Sequence, residues 1–264
     1  MNEPLADIGL VGLAISGILI GVALVLSLVR RLGLEKDLFI AAVRALVQLL
    51  VVGLALRIVV DDDDPLVFTW IWVAFMAVVA AWTVRRRAPE VPNVIPLSLV
   101  AFTAAAIVSL GVLFGLGVFE PTGRAIVPIA GMMVGNSMTA TVVVARRIVA
   151  EANDHRDLIE ARLALGLSSQ DAFAPHLRAA LRTGLIPQIE TTKTVGLIAL
   201  PGAMTGLILA GVEPVEAVRV QVAVMYLVLG SVSTTAAVMA IGLTRGLFTS
   251  DHRLLPLGSL SSPQ

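Results

Sequence analysis

Seven apolar runs, near residues 8–29, 38–60, 66–84, 94–118, 125–146, 185–211 and 217–244, constrain this chain more than any other feature. Each is long enough for a helix to cross a hydrocarbon layer, which takes about 20 apolar residues. Backbone N–H and C=O groups in such a layer must be satisfied within the protein, so the runs predict helices. The expected fold is all-α, a polytopic integral membrane protein of about seven transmembrane helices. Composition agrees: 57% of residues are hydrophobic and 14% charged, with a mean hydropathy of +0.93. A soluble domain carries about 25% charged residues.

Charge placement sets the expected topology, because basic residues concentrate in cytoplasmic segments. Arg30, Arg31, Lys36, Arg85, Arg86, Arg87, Arg146, Arg147, Arg156, Arg162, Arg178, Arg182, Arg245 and Arg253 fall on one side of the seven-span order. Arg57, Arg124 and Arg219 fall on the other, and Arg44 and Lys193 lie within runs. The 19 basic residues thus divide fourteen, three and two, placing the N-terminus outside and the C-terminus in the cytoplasm. The opening MNEPLADIGL has no basic n-region, so the first run is expected to be a retained span. The acidic run Asp61–Asp64 falls in an outer loop, either as a solvated helix end or as a cation-attracting vestibule. Residues 1–264 are expected to form one membrane domain, with a disordered tail over 254–264.

The segment over 147–184 is the largest on the inner side and the most polar. Leu158, Ala161 and Leu165 repeat at helical spacing, and Gly166 interrupts them. Ser168 and Asp171 stand at capping-box spacing and predict a second helix start. Ala172, Phe173, His176, Leu177, Ala180 and Leu181 then form one apolar stripe, with Arg178 and Arg182 off it. Pro175 is expected to delay or kink this helix. The segment leads without a linker into the sixth run, which Pro187, Gly196, Pro201, Gly202 and Gly206 break up. An amphipathic coupling segment joined directly to an interrupted span suits a machine that transmits force to a membrane path.

Glu160, Ala161 and Arg162, followed by Gly166, Ser168, Ala172 and Phe173, resemble the EAA loop of ABC transporter permeases. Arg162 departs from the alanine usual at its position. The resemblance extends through Arg44–Leu50, Gly135-Asn136-Ser137-Met138, Lys193–Leu197, Leu200-Pro201-Gly202 and Met204-Thr205-Gly206 to the Fet-type iron-export permeases and the related plant aluminium-tolerance permeases. It implies a plasma (inner) membrane permease that exports iron and pairs with a separate ATP-binding cassette ATPase. Glu160, Ala161, Arg162, Gly166, Ser168, Ala172 and Phe173 would form the ATPase-coupling surface. ATP and Mg would be bound by that partner. One chain offers one coupling segment where such transporters use two, so a homodimer follows. The chain cannot itself be the ATPase: a P-loop lysine follows a glycine, and Lys36 and Lys193, its only lysines, do not. Neither a nucleic-acid partner nor a cofactor in this chain is expected.

Candidate path residues lie inside the runs. Arg44 and Gln48 share a face of the second span. Glu190 and Lys193 stand at the start of the sixth, and Arg44 and Glu190 are expected at one depth, either as a packing ion pair or as a gate. Charges at membrane depth cost about 2.5–3.5 kcal/mol each on insertion scales. Met132, Met133, Asn136, Ser137 and Met138 would line a path along the fifth span or pack it. Met204 lies in the broken span. Gln221, Tyr226, Ser231, Ser233, Thr234 and Thr235 suggest hydrogen bonds between helices. Glu190 is the one carboxylate placed to ligate a metal.

Cysteine is absent, which removes thiolate metal sites and iron–sulfur clusters, and the three histidines fall in polar segments. An intramembrane lipid enzyme would need a nucleophile–base or metal constellation that the runs lack. An ion-coupled secondary transporter, or a permease for another small organic solute, remains the alternative. The first of these leaves the EAA-like segment unexplained.

Overall fold

The computed structural model describes residues 10–59, 66–198, 200–249 and 251–255. The acidic run Asp61–Asp64 lies outside the described residues, as do residues 256–264 of the expected tail. The described chain is all-α. Helices α1 (Leu10–Ser16) and α2 (Ile18–Arg30) form one apolar rod stepped at Gly17. They are followed by α3 (Glu35–Val59), α4 (Leu66–Arg87), α5 (Val94–Gly115) and α6 (Gly123–Asp154). Next come α7 (Arg156–Ala164), α8 (Ser169–Thr194), α9 (Gly202–Leu209) and α10 (Pro214–Leu247).

Local chemistry sets the ends. At the α2–α3 turn, Arg31 takes a left-handed conformation at φ 53°, and Leu32 N–H donates to the Ser27 carbonyl. The buried Ser27 hydroxyl donates to Glu35 at 2.7 Å, stitching the turn shut. At α10 the Glu213 carboxylate accepts from the N–H groups of Val215 and Glu216, with Pro214 at the first helical position. Ser168 caps α8 by accepting from the Asp171 N–H at 3.2 Å, as the capping-box spacing predicts.

Among the described residues, six helices are long and apolar enough to cross a membrane: Val11–Arg30, Glu35–Leu56, Leu66–Arg87, Val94–Gly115, Gly123–Asp154 and Pro214–Leu247. The sixth expected span, over 185–211, is not one helix. It is the C-terminal part of α8, a break, and the eight-residue α9. Val195 turns extended at ψ 135°, Gly196 sits at φ +85°, and Pro201 is again extended at ψ 145°. Gly196 occupies a backbone region that side chains disfavour, and Pro201 has no N–H with which to continue a helix. Pro175 does not delay the second helix, which begins at Ser169. Helix α8 runs unbroken for 26 residues across both Pro175 and Pro187. Each proline removes one backbone donor, a loss that the packed helix absorbs.

The core is built where α10 runs against α5 and α6, with α4 on α5 and α6, and α8 on α6 and α10. Small residues dominate these seams: Ala81, Ala101, Ala105, Ala130, Ala145, Ala236 and Ala240 are buried, with Phe102, Ile126, Met133, Ile148 and Met239 filling between them. Such residues let helix backbones approach closely. A Cβ at Gly184 would overlap the Val144 side chain, so α8 and α6 touch there through a bare backbone. The polar residues of α10 do not join helices as expected. Ser231, Thr234 and Thr235 donate instead to the carbonyls of Val228, Gly230 and Ser231 in their own helix, and Tyr226 is exposed. A hydroxyl reaches the carbonyl three or four residues back without any partner helix.

Candidate functional site

The polar segment over 147–184 folds as the end of α6, the short helix α7 and the start of α8. Helix α7 ends in a turn where Gly166 takes φ +87°, a left-handed position, and Gly166 N–H donates to Leu163 O at 2.9 Å. The apolar stripe of α8 faces inward: Ala172, Phe173, His176 and Ala180 are buried, and Arg178 and Arg182 are exposed. Phe173 meets the Phe248 ring edge-on at a centroid distance of 6.0 Å. Ala172 and Phe173 are therefore interior supports and offer no docking surface, contrary to their expected contact with an ATPase.

What the module exposes is the other side of α7. Leu158, Glu160, Ala161, Leu165, Gly166 and Leu167 all face out, Leu165 at 81% exposure. The remaining motif residues serve the framework. Arg162 donates to the Ala172 carbonyl at 3.3 Å, tying α7 to α8. Glu160 pairs with Arg156 at 2.8 Å, and Arg156 also donates to the carbonyls of Leu254 and Leu255. Leu254 is buried and bridges Phe248, so the start of the expected tail is docked. His252 Nδ1 accepts from the Ser169 N–H at 3.3 Å, beside the start of α8.

Under this module lies a polar cluster absent from the sequence expectations. Glu151, near the end of α6, is 4% exposed. Its Oε1 receives Arg147, one turn earlier. Its Oε2 faces His176 Nδ1 of α8 at 2.8 Å and His155 Nδ1 at the α6–α7 joint at 3.2 Å. The two imidazole rings stand 4.8 Å apart, and His176 also lies against Phe173 at 5.6 Å. The sequence signal is faint: Arg147, Glu151 and His155 recur at i, i+4 and i+8, and His176 sits in an apolar stripe. Nothing in that spacing says that residues 25 positions apart meet.

The path candidates divide. Met133 and Ser137 face the core of the bundle, and the Ser137 hydroxyl is buried without a partner. Met132, Met138 and Met204 are half-buried. Asn136 faces out and donates to the Met132 carbonyl at 2.7 Å. Arg44 and Gln48 are exposed on α3, which packs on α2 and lightly on α4. The expected Arg44–Glu190 pair does not form within the chain. Glu190 pairs instead with Lys193 at 2.8 Å on the exposed face of α8, just before the break. Similar depth did not bring the two helices together, because α8 packs on α6 and α10.

Residues 10–248 match the model of the "Uncharacterised protein family (UPF0014)". The chain is 38% identical over 242 residues to the UPF0014 membrane protein STAR2 of Oryza sativa subsp. japonica, spanning 91% of this chain and 80% of that protein. It is 33% identical over 243 residues to the "Probable iron export permease protein FetB" of Escherichia coli K12, spanning 92% and 93% of the two chains. It is 34% identical over 251 residues to the Protein ALUMINUM SENSITIVE 3 of Arabidopsis thaliana, spanning 93% and 90%. No solved structure gives a significant match. The chain belongs to the UPF0014 family of membrane proteins.

Proposed function

We propose that this member of the UPF0014 family is the membrane permease of an ABC transporter, driven by ATP that a separate subunit binds with Mg and hydrolyses. The observation that carries the reading is the continuity of α8. One helix runs from the turn beside the exposed α7 face to the Glu190–Lys193 pair and the break after Thr194. A push on Leu158, Ala161, Leu165 and Leu167 at one end is delivered along a rigid rod to an interrupted element at the other. Irregular backbone at membrane depth is tolerated only inside protein or along a cavity, which suits the break as part of a path. The permease works as a homodimer in the inner membrane, with its N-terminus outside and the module in the cytoplasm.

The cargo is iron, exported free or chelated, a reading supported by the name carried by the Escherichia coli relative. The pairing of Glu190 with Lys193 favours the chelated form, because a bare cation would compete with an ammonium for the same carboxylate. The test is reconstitution with the ATPase. Wild type should couple ATP hydrolysis to iron transport, whereas Gly166→Pro should insert normally and lose the coupling. Iron transport unchanged by the removal of ATP would overturn the ABC reading and leave an ion-coupled carrier. ATP-driven transport of an organic solute with no iron moved would overturn the cargo alone.

A further inference from the structure

We propose that Glu151, His155 and His176 form a binding site for a divalent first-row transition-metal ion of the zinc or ferrous class, which clasps the α6–α7 joint onto α8. Their ligand atoms lie within 4.8 Å of one another. The two Nδ1 atoms stand 2.8 and 3.2 Å from one carboxylate oxygen. Ligands bound at about 2.0–2.2 Å around a tetrahedral ion are themselves about 3–3.5 Å apart. The three groups are thus near the spacing that an ion requires.

The supporting shell fits as well. Arg147 holds Oε1 of Glu151 and leaves Oε2 facing the two imidazoles, as an outer partner of a metal ligand does. His176 is 7% exposed, and its Nε2 is buried with no hydrogen-bond partner. In the ion-free cluster Nδ1–H donates to the Glu151 carboxylate; with Nε2 free to take the proton, the tautomer can switch and turn an Nδ1 lone pair toward an ion. The His155 side chain is 44% exposed, which opens an entry route and a position for water. Two imidazoles and one carboxylate suit zinc, ferrous, cobalt and nickel ions, whereas magnesium and calcium prefer sets made of oxygen. Binding uses neutral imidazoles and releases any proton they carried, with no redox step.

The consequence is mechanical. Glu151 lies in the last turn of α6, His155 is the joint to α7, and His176 lies on α8, so one ion fixes the angle at which the α7 face is presented. The site is distinct from the Glu190 region, and binding to the isolated protein does not depend on the permease reading.

The test uses the full chain in detergent, without a polyhistidine tag and stripped with a chelator. Cobalt(II) is titrated by visible absorption, then displaced with zinc, and thermal melts are run with and without zinc. Wild type should bind one cobalt per chain with the bands of nitrogen–oxygen ligation, resist displacement by magnesium, and melt higher with zinc. His155→Gln, at a half-exposed position, should fold and lose more than the ~10–100-fold in affinity typical of an outer-shell change, along with the zinc shift. His252→Gln should bind as wild type does. Folded wild type with no cobalt spectrum and no zinc shift would overturn the proposal. Equal binding in His155→Gln would do the same.

Discussion

The two ends of the chain are built on opposite plans. In α6 and α10 half of the membrane-length window is buried inside the protein, whereas in the first span the share is 6% and in α3 none of it. The buried faces of α6 and α10 intersperse Ala, Ser, Thr and Met among Val, Ile and Leu, and α8 comes close enough to α6 for Gly184 to lie against Val144. The α2–α3 hairpin is rich in Leu, Val and Ile, and most of them face out. Large aliphatic residues gain nothing from one another in a bilayer that they do not already gain from lipid. The bundle therefore holds itself together, and the hairpin needs something outside the chain to cover it. Arg44 and Gln48 sharpen the contrast, because they are polar residues on a helix that buries none of its apolar length.

Removing Glu151 should have the largest effect. Glu151→Ala leaves the buried His176 imidazole without its partner and opens a void beside it, while the half-exposed Arg147 turns to water; an unmet buried polar group costs about 1–3 kcal/mol and the void adds to that. The folded fraction in detergent should fall sharply, read by melting or by size-exclusion recovery. A melt like that of wild type would mean that water already solvates the cluster.

Gly184→Val comes next. The new side chain must push α8 off Val144, and overpacking of this kind costs about 1–3 kcal/mol. Gly53→Val, on the exposed hairpin where an added Cβ meets nothing, should leave the melt nearly unchanged. Equal losses at the two glycines would erase the distinction between bundle and hairpin.

The sequence showed some of this plainly and some not at all. The helix start at Ser168 was legible because capping is local, and the stripe Ala172–Leu181 was legible because periodicity needs no partner. Six of the seven expected spans followed from apolar runs alone, although α6 and α10 extend several residues past their runs. The rest depended on azimuth and neighbours. Depth put Arg44 beside Glu190, but depth does not say which helices touch. Hydroxyls on α10 read as bridges because their own helix carbonyls are invisible in a composition. Ala172 and Phe173 matched a docking motif and lie buried behind the turn at Gly166, where Leu158, Ala161 and Leu165 are the exposed residues.

If a second copy of the chain covers the hairpin, cysteines at Val47 and Val51 on α3 should link copies on mild oxidation. A cysteine at the buried Ala101 should not. With no native cysteine, any cross-linked band comes from the introduced residue. Absence of linkage at every exposed α3 position would leave lipid as the cover.

The smallest effect is the most informative about Arg44. Within one chain Arg44 and Glu190 have no contact, and Glu190 is already paired with Lys193 in an exposed i, i+3 bridge. Such a bridge contributes roughly 0.2–0.5 kcal/mol, so Glu190→Ala alone should hardly change the melt. Distant sites add within about 0.3–0.5 kcal/mol, so Arg44→Ala and Glu190→Ala should combine additively in a double-mutant cycle. The cycle is best run at two protein concentrations. Additivity at both would keep the hairpin and the broken span as independent limbs of the bundle. A coupling that emerges only at the higher concentration would place Arg44 of one copy against Glu190 of the next. The exposed charge on α3 would then be a contact between copies, and the hairpin and the break would be two halves of one interface.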